Sequence, residues 1–396
     1  MTRGPTTPEQ FWALTVRAGL SAAADVRPDA GTADELAERL VEAGRLTRFQ
    51  AEKLLAGRWQ GLVNGPYRLM TPIGRGGTGI VYLARDDRRS SGGRTSRLVA
   101  LKVLSPQRAA SEPRTLTRFR REMDIGRAIP EHPGLTATRD AGEAGGIHYL
   151  AMEYVPGRTA RQVVAADGPM VVPAAARAFA DVAAGLHAAH QAGFVHRDTK
   201  PANVVVMPSG RAKLLDFGFA LRRGEKPPAD PSVLGGKGYT LGTLDYLPPE
   251  QASNAVAVGA ETDVYSVGCS LYFVLTGRPP HTADTAREKI RLHRTTDPPP
   301  LRTLNPQVPA EFAALVGWMM SRRPEDRPQT AGEVAALLEK WAAPAFPVAT
   351  LLSYDDAWEA NLVRQVEAVW LARRETHRPM PVARPVSTEV EPGPRP

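Results

Sequence analysis

The part of the chain richest in chemistry reads Val195-His196-Arg197-Asp198-Thr199-Lys200-Pro201-Ala202-Asn203, and a short gap separates it from Asp216-Phe217-Gly218. Asp198 is a carboxylate that can accept a proton, and Lys200 lies close to it in sequence. Asn203 and Asp216 add oxygen donors at the ends of neighbouring predicted strands, and Mg²⁺ prefers such ligands when it also binds phosphate. A single aspartate of this kind is usually a turn or cap residue. The four residues in this order predict a site for magnesium and phosphate.

A glycine-rich segment, Gly74-Arg75-Gly76-Gly77-Thr78-Gly79-Ile80-Val81, lies between two strand-like segments. A dinucleotide-binding turn would instead open a helix, and a P-loop would need a lysine where Ile80 stands. What remains is a hairpin whose backbone amides can approach a phosphate closely because side chains are missing. The alternative is a glycine-rich hairpin without a function.

Lys102 lies inside the predicted strand of residues 99–104, on the face shared by Ala100 and Leu104. A lysine on a covered face is costly unless a counter-charge or a ligand meets it. Glu122, in the helical segment that follows, can reach back to it. The alternative is a lysine on an edge strand that points into water.

These segments occur in the order found in protein kinases, and the chain resembles the bacterial Ser/Thr type related to eukaryotic kinases. The resemblance covers about residues 67–341 and includes the glycine-rich loop, the lysine strand, the helix glutamate, the His-Arg-Asp loop and the Asp-Phe-Gly segment. Residues 242–250 resemble the end of an activation segment, and residues 263–268 resemble the helix that anchors the catalytic loop. Arg327 resembles the buried arginine that pairs with Glu250.

The resemblance implies an α+β protein kinase fold with two lobes. The kinase domain is expected at residues 66–341, with a β-rich N-lobe at about 66–152 and an α-helical C-lobe at about 156–341. A small helical module is expected before it at residues 1–65. Residues 342–396 are expected to form an amphipathic helix and a Pro-rich tail.

The resemblance also implies a role for each site residue. Lys102 is expected to hold the α- and β-phosphates of ATP and to pair with Glu122. Asp198 is expected to accept or orient the proton of the substrate hydroxyl, with Lys200 beside the transferred phosphate. The cofactors implied are ATP and Mg²⁺ or Mn²⁺, and the implied metal ligands are Asn203 and Asp216. The other residues expected to contact ATP are Ile73, Gly74, Gly76, Gly77, Gly79, Val81, Ala100, Met152, Glu153 and Val155.

The implied activity is that of a non-specific Ser/Thr protein kinase, which transfers the γ-phosphoryl group of MgATP to Ser or Thr hydroxyls of proteins. Autophosphorylation is expected within the activation segment, at Thr240, with Arg197 as the residue that senses the phosphate. Thr243 is expected to hydrogen-bond near Asp198 and to favour Ser/Thr acceptors. Two alternatives stay open at this point: a catalytically silent scaffold and a small-molecule phosphotransferase of similar fold.

Both flanks of the kinase-like region have helical patterns. Three Thr-x-x-Gln/Glu boxes, at Thr7, Thr32 and Thr47, are typical of helix N-termini. Near the C-terminus an apolar stripe recurs at helical spacing from Trp358 to Trp370. Each flank either packs on its neighbours or docks another protein.

Two residues in the helix of Glu122 depart from the usual kinase pattern. Gly126 replaces the apolar residue that typically packs against Phe217 and His196, so we expect a loose stack there. Pro130 is expected to break the same helix soon after Gly126, in a connection slightly longer than usual.

The chain has 396 residues and a net charge of +8, which raises the question of a nucleic-acid partner. The positive excess lies beyond residue 65 in scattered pairs, which favours dispersed surface charge and no nucleic acid. The single cysteine, Cys269, excludes an internal disulfide and fits a reducing compartment. No apolar run reaches the roughly 20 residues of a membrane-spanning helix. We therefore expect a cytoplasmic protein that acts on protein substrates, without a membrane span.

Overall fold

An antiparallel sheet of six strands forms the first part of the fold. The computed structural model describes residues 4–75, 78–89, 97–222, 224–225, 244–253, 259–344 and 356–376. The six strands are β1 (Val63–Asn64), β2 (Tyr67–Arg75), β3 (Ile80–Asp86), β4 (Leu98–Leu104), β5 (Thr138–Ala144) and β6 (Ile147–Glu153). Their order in the sheet is β1-β2-β3-β4-β6-β5, so β4 is paired along both of its edges.

Helices cover both faces of this sheet. One face carries α1 (Pro8–Arg17), α2 (Ala33–Glu42) and α3 (Arg48–Leu55), and after β4 come α4 (Pro106–Ser111) and α5 (Pro113–Ala128). Val99 and Leu101 of β4 belong to the core shared with the first three helices, whereas Leu104 packs with Phe119 of α5. Successive strand residues point to opposite faces. The near-continuous apolar run of β4 therefore reflects a strand that is buried on both sides.

Each of the first three helices begins at the predicted threonine. Thr7, Thr32 and Thr47 each accept a hydrogen bond from the backbone N–H three residues later, which satisfies a donor that the helix leaves free. Buried residues of these helices form one continuous core with the sheet. This arrangement agrees with the packing alternative for the N-terminal flank, and a domain boundary at residue 65 stays a prediction.

Helices dominate after the sheet and enclose a second core. Its central helices are α7 (Val172–Gln191), which has the predicted bounds, and α9 (Ala260–Thr276). The others are α6 (Ala160–Asp167), α8 (Pro249–Ser253), α10 (Ala286–Thr295), α11 (Leu301–Leu304), α12 (Ala310–Met319) and α13 (Ala331–Glu339), with 3-10 turns at Leu244–Tyr246 and Pro324–Asp326. Short strands pair in the orders β10-β9-β7 and β11-β8; they are β7 (Arg158–Thr159), β8 (Phe194–Val195), β9 (Val204–Val206), β10 (Ala212–Leu214) and β11 (Leu221–Arg222).

The last helix, α14 (Asp356–Thr376), returns to the first sheet and packs against β2. It contains the predicted apolar stripe, of which Trp358, Leu362 and Val366 pack against the sheet around the buried Val363. Val369, also predicted on that stripe, is exposed. Within the described part of the chain, no helix is both long enough and apolar enough to cross a membrane.

Candidate active site

Lys102 lies in the middle of the paired strand β4, so the alternative of an edge-strand lysine in water is wrong. Its Nζ donates to Glu122 Oε1 at 2.5 Å and lies 4.0 Å from Asp216 Oδ1. Lys102 and Glu122 are only 5% and 3% exposed. Burial opposes the lysine charge, but Asp216 and Glu122 outweigh it and raise the pKa of Lys102 above its usual value. The ammonium group is therefore held charged at the inner end of a cleft.

Asp198 is buried, and its carboxylate contacts Lys200 and Asn203 of the same loop. Lys200 Nζ donates to its carboxylate oxygens at 2.8 and 2.7 Å, and Asn203 Nδ2 donates to Oδ2 at 3.0 Å. The same Asn203 amide donates to the backbone carbonyl of Asp198 at 2.9 Å. Burial raises the pKa of Asp198 even though Lys200 is in contact with it. A carboxylate held in this way is more basic than an exposed one, which suits a proton acceptor.

The backbone of the catalytic loop is held by Asp263 of α9, which is fully buried. Its Oδ2 accepts hydrogen bonds from the backbone N–H of His196 and from His190 Nε2, and its Oδ1 accepts from the N–H of Arg197, each at 2.8 Å. Burial acts against this charge, but the hydrogen bond from His190 leads the interactions that hold the pKa of Asp263 below its usual value. Arg197 has φ 69°, a left-handed conformation that is unfavourable for a side chain of this size. The Asp263 carboxylate stabilises that conformation, which turns the chain toward Asp198.

Asp216 also has a left-handed backbone, with φ 61°. Its Oδ1 accepts from the Gly218 N–H at 3.0 Å. The side chain of Asp216 is 41% exposed, in contrast to the buried Lys102. Desolvation works against its charge, but Lys102 and the Gly218 N–H hold the pKa of Asp216 below its usual value. An ionised and accessible carboxylate is thus presented to the cleft.

The cleft between the sheet and the helical part belongs to a cavity of about 1360 Å³ that extends to α3 and α14. It brings together predicted residues from both parts of the chain. Those found on its walls are Ile73, Gly74, Val81, Ala100, Lys102, Glu122, Met152, Glu153, Val155, Asn203 and Asp216.

The segment that joins the two parts of the molecule is tied down near Glu153. The Glu153 N–H donates to the Ala137 carbonyl at 2.8 Å, and the Glu153 side chain pairs with Lys213 at 2.8 Å. Lys213 lies on β10, and no sequence pattern indicated this contact. Adenine recognition by the backbone groups of Glu153 and Val155 stays a prediction.

The glycine-rich hairpin joins β2 and β3, as predicted. A Cβ atom at Gly79 would lie 2.4 Å from the Val103 carbonyl oxygen, so this position requires glycine. Thr78 Oγ1 donates to Glu122 Oε2 at 3.3 Å, a contact that sequence reasoning missed although Thr78 stands inside the quoted loop. Gly76 and Gly77 lie outside the described residues.

At the end of the activation segment, the predicted pair of Glu250 and Arg327 is present. Arg327 Nη1 and Nη2 donate to the two Glu250 oxygens at 2.8 and 2.9 Å. Closer to the start of that segment, Arg121 of α5 pairs with Glu225 and donates to the Ala220 carbonyl at 3.0 Å, which sequence reasoning also missed. The two predicted regulatory threonines, at positions 240 and 243, lie outside the described residues. Arg197, predicted to sense the phosphate on the activation segment, is buried and only 2% exposed.

The space beside Gly126 is occupied by neighbouring side chains. A Cβ atom there would lie 2.6 Å from Thr138 Oγ1 and 3.6 Å from Leu150 Cδ1, so neighbouring side chains already fill the space. The rings of His196 and Phe217 remain in edge contact, with centroids 4.9 Å apart. The expectation of a loose stack is therefore wrong. The helix itself ends at Ala128, two residues before Pro130, as predicted.

The protein kinase domain family matches residues 67–340. The chain belongs to the protein kinase family. The chain is 38% identical over 274 residues to the serine/threonine-protein kinase PknB of Mycobacterium leprae, and the match covers 68% of this chain and 42% of PknB. It is 33% identical over 325 residues to PknE of Mycobacterium bovis, and that match covers 82% of this chain and 53% of PknE. The chain thus spans about half the length of the curated relatives it matches.

Among solved structures, the chain resembles a crystal structure of the Mycobacterium tuberculosis PknI kinase domain. The two are 27% identical, with a TM-score of 0.51 over 71% of this chain and 98% of the PknI chain. The similarity therefore covers almost the whole of that kinase-domain chain.

Proposed function

We propose that the protein is an active ATP-dependent Ser/Thr protein kinase, which transfers the γ-phosphoryl group of ATP to Ser or Thr hydroxyls of proteins. The observation that carries this proposal is the contact of Lys102 with Glu122 at 2.5 Å, together with Asp216 at 4.0 Å from the same ammonium group. Phosphoryl transfer in this family requires both the lysine–glutamate pair and the metal-binding aspartate to be in place. A kinase fold that served only as a scaffold would not need the charged side chains of Lys102, Glu122 and Asp216 close together in one cleft.

Each side chain of the site has a task that its geometry allows. Lys102 is held charged beside the cleft, so it can bind the α- and β-phosphates. Asp198 accepts or orients the proton of the incoming hydroxyl, and its raised pKa favours this. Lys200 bridges both Asp198 oxygens and can neutralise charge that develops on the transferred phosphoryl group.

Asn203 and Asp216 fit the divalent cation that protein kinases use. Both Asn203 amide contacts go to Asp198, which leaves the carbonyl oxygen Oδ1 as the atom that can bind a cation. Asp216 presents an ionised and partly exposed carboxylate. Hard oxygen donors of this kind suit Mg²⁺ or Mn²⁺. Held by Asn203 and Asp216, the cation would supply positive charge that neutralises the phosphates of ATP.

The adenine of ATP is placed by this proposal at the segment between the two lobes. Backbone groups of Glu153 and Val155 would read its edge, and Met152 would limit the depth of the pocket. The cleft lining by Ile73, Val81 and Ala100 supports an apolar environment for the ring. Gly74, Gly76, Gly77 and Gly79 would cover the phosphates.

Regulation by autophosphorylation is part of the proposal. Arg197, next to Asp198, would pair with a phosphate on Thr240, and Thr243 would hydrogen-bond near Asp198 and Lys200. Mass spectrometry of protein incubated with MgATP should find phosphate on Thr240. A fully active Thr240→Ala variant would rule out this part of the proposal.

The decisive assay mixes the purified protein with labelled ATP, Mg²⁺ and a generic basic protein, alongside an Asp198→Asn control. We expect label on the substrate and on the kinase itself, with a loss of about 10²–10⁴-fold in the control. Absence of transfer by the parent protein would favour the scaffold instead. Transfer to a small molecule but to no protein would favour a small-molecule phosphotransferase, against which the Glu250–Arg327 pair argues. Cytoplasmic location, protein substrates and the lack of a nucleic-acid partner stay predictions from the sequence.

A further inference from the structure

We propose that the C-terminal helix α14 positions the walls of the nucleotide cleft, and that Glu359 is the residue that holds α14 in place. The inference rests on the proposed function, since it concerns how the cleft binds ATP. It also goes beyond that function, because α14 lies after the matched kinase domain of residues 67–340. Three separate contacts of α14 support it.

The first contact joins the buried Glu359 carboxylate to Arg97, just before β4, and to Arg85 of β3. Arg97 donates to the Glu359 carboxylate from its backbone N–H at 2.9 Å, from Nε at 3.0 Å and from Nη2 at 2.9 Å. Arg85 Nε of β3 lies 4.0 Å from the same carboxylate. The Glu359 side chain is 1% exposed. A buried carboxylate that faces two guanidinium groups fixes the position of the helix. In any other position these charged groups would be buried without a partner of opposite charge.

The second contact is apolar and reaches the nucleotide cleft. Val363 of α14 is buried in a cluster with Met70, Leu83 and Leu98 of the sheet. Ile73 and Tyr154, which both line the cleft, pack against this same cluster, as do Trp358, Leu362 and Val366 of α14. The helix thus supports one residue of the cleft roof and one residue of the segment between the lobes.

The third contact links α14 to α3 and, through α3, to β2. Glu367 Oε1 accepts a hydrogen bond from the Phe49 N–H at 2.9 Å, in the first turn of α3. Trp370 packs edge-on against the Phe49 ring, with centroids 5.6 Å apart. A carboxylate at a helix N-terminus satisfies a free donor and interacts favourably with the helix dipole. The end of α14 therefore holds α3 at its N-terminus.

In turn, α3 holds an irregular part of β2. The pairing of β2 with β3 shifts register between Leu69 and Thr71. Thr47 Oγ1 donates to the Met70 carbonyl at 2.6 Å, and Gln50 Nε2 donates to the Leu69 carbonyl at 2.7 Å. These side chains thus supply donors to the Leu69 and Met70 carbonyls at the irregular part of the strand. Since β2 continues to Ile73 and Gly74, the position of the phosphate-covering hairpin depends on this contact.

The test compares nucleotide binding by three variants of the full chain. Glu359→Gln keeps the size and one acceptor oxygen but removes the charge, and Leu362→Ala removes apolar contact without leaving a charge. Arg364→Gln is the matched control, because it changes one charge on the exposed face of the same helix. Affinity for the β,γ-imido analogue of MgATP is measured by calorimetry. Amide hydrogen exchange is followed in peptides covering residues 67–75 and 147–155, and thermal melting shows which variants fold.

We expect the two buried-face variants to bind the analogue about 3- to 10-fold more weakly and to exchange faster in both peptides, with the control unchanged. In kinetic assays KM for ATP should rise while kcat stays within about 2-fold, since no group that touches the transferred phosphate is altered. If Glu359→Gln does not fold, Leu362→Ala provides the same comparison.

The positioning role would be refuted if the folded variants kept the parental affinity and exchange, or if Arg364→Gln lost as much affinity as they did. Failure of the parent protein to bind the analogue would count against the proposed function instead. The exchange of the two peptides would then decide the positioning role by itself.

Discussion

Removal of the Glu250 carboxylate should destabilise the protein strongly, because it leaves the Arg327 guanidinium buried without its counter-charge. The Arg327 side chain is 0% exposed and that of Glu250 is 16% exposed. Besides its two bonds to Glu250, Arg327 donates to the carbonyls of Ser321 at 2.7 Å, Glu261 at 2.9 Å and Arg322 at 3.1 Å. Its guanidinium carbon also lies 4.7 Å from the centre of the Tyr265 ring.

The size of the effect follows from these contacts. Breaking a buried ion pair by removing one partner costs about 3–5 kcal/mol. The three carbonyls and the Tyr265 ring remain after a Glu250→Ala substitution and still solvate the cation in part, so we expect about 3 kcal/mol. This is a large share of a total stability of roughly 5–15 kcal/mol. At about 2–3 °C for each kcal/mol, Tm should fall by about 6–9 °C.

Thermal melting followed by circular dichroism measures this directly. Glu325→Ala is the matched control, because Glu325 pairs with Arg323 at 2.8 Å while both side chains are more than half exposed. Exposed pairs contribute little, so its Tm should hardly change. Glu250→Gln, which keeps one acceptor, should fall between the two. Equal shifts for Glu250→Ala and Glu325→Ala would refute the argument that burial makes this pair important.

Three further predictions concern the site and the neighbouring helix α5. Asp216→Asn should abolish phosphoryl transfer from labelled ATP while leaving Tm almost unchanged, because Asn tolerates the left-handed φ of 61° and the side chain is partly exposed to the cleft. Gly126→Ala should lower Tm despite its better helix propensity, since its Cβ would lie 2.6 Å from Thr138 Oγ1, and Thr138→Ala in the same chain should restore it. On the acid side of the pH profile, kcat/KM should fall with an apparent pKa above the ordinary aspartate value of about 3.9, because Asp198 must be ionised to act and burial raises its pKa. An apparent pKa at or below that value would contradict this.

Much of the fold was predictable because local signals agreed. The threonine caps, the glycine hairpin and the bounds of α7 all depend on backbone chemistry within a few residues. Lys102 shows where such signals stop. Its strand was identified from the sequence, but whether that strand lies at an edge depends on β6, a strand more than forty residues further along the chain.

Gly126 shows the converse, a local signal that led to a wrong expectation. Its missing side chain suggested loose packing around Phe217 and His196, but Thr138, a residue of the neighbouring strand β5, fills the space beside it. Packing density is a property of all neighbours together, so a vacancy in one chain segment predicts a cavity only if no other segment supplies atoms.

By itself the amino-acid sequence determined the chemical groups of the site and their order, because phosphoryl transfer needs a specific set of charges and oxygen donors whatever surrounds them. Tertiary structure alone decided that Asp216 lies 4.0 Å from the Lys102 ammonium group that also pairs with Glu122. It also decided that α14 returns to the first sheet through Glu359. Residues far apart in sequence meet only when packing places their elements together, and the cost of a buried unpaired charge then selects a single arrangement.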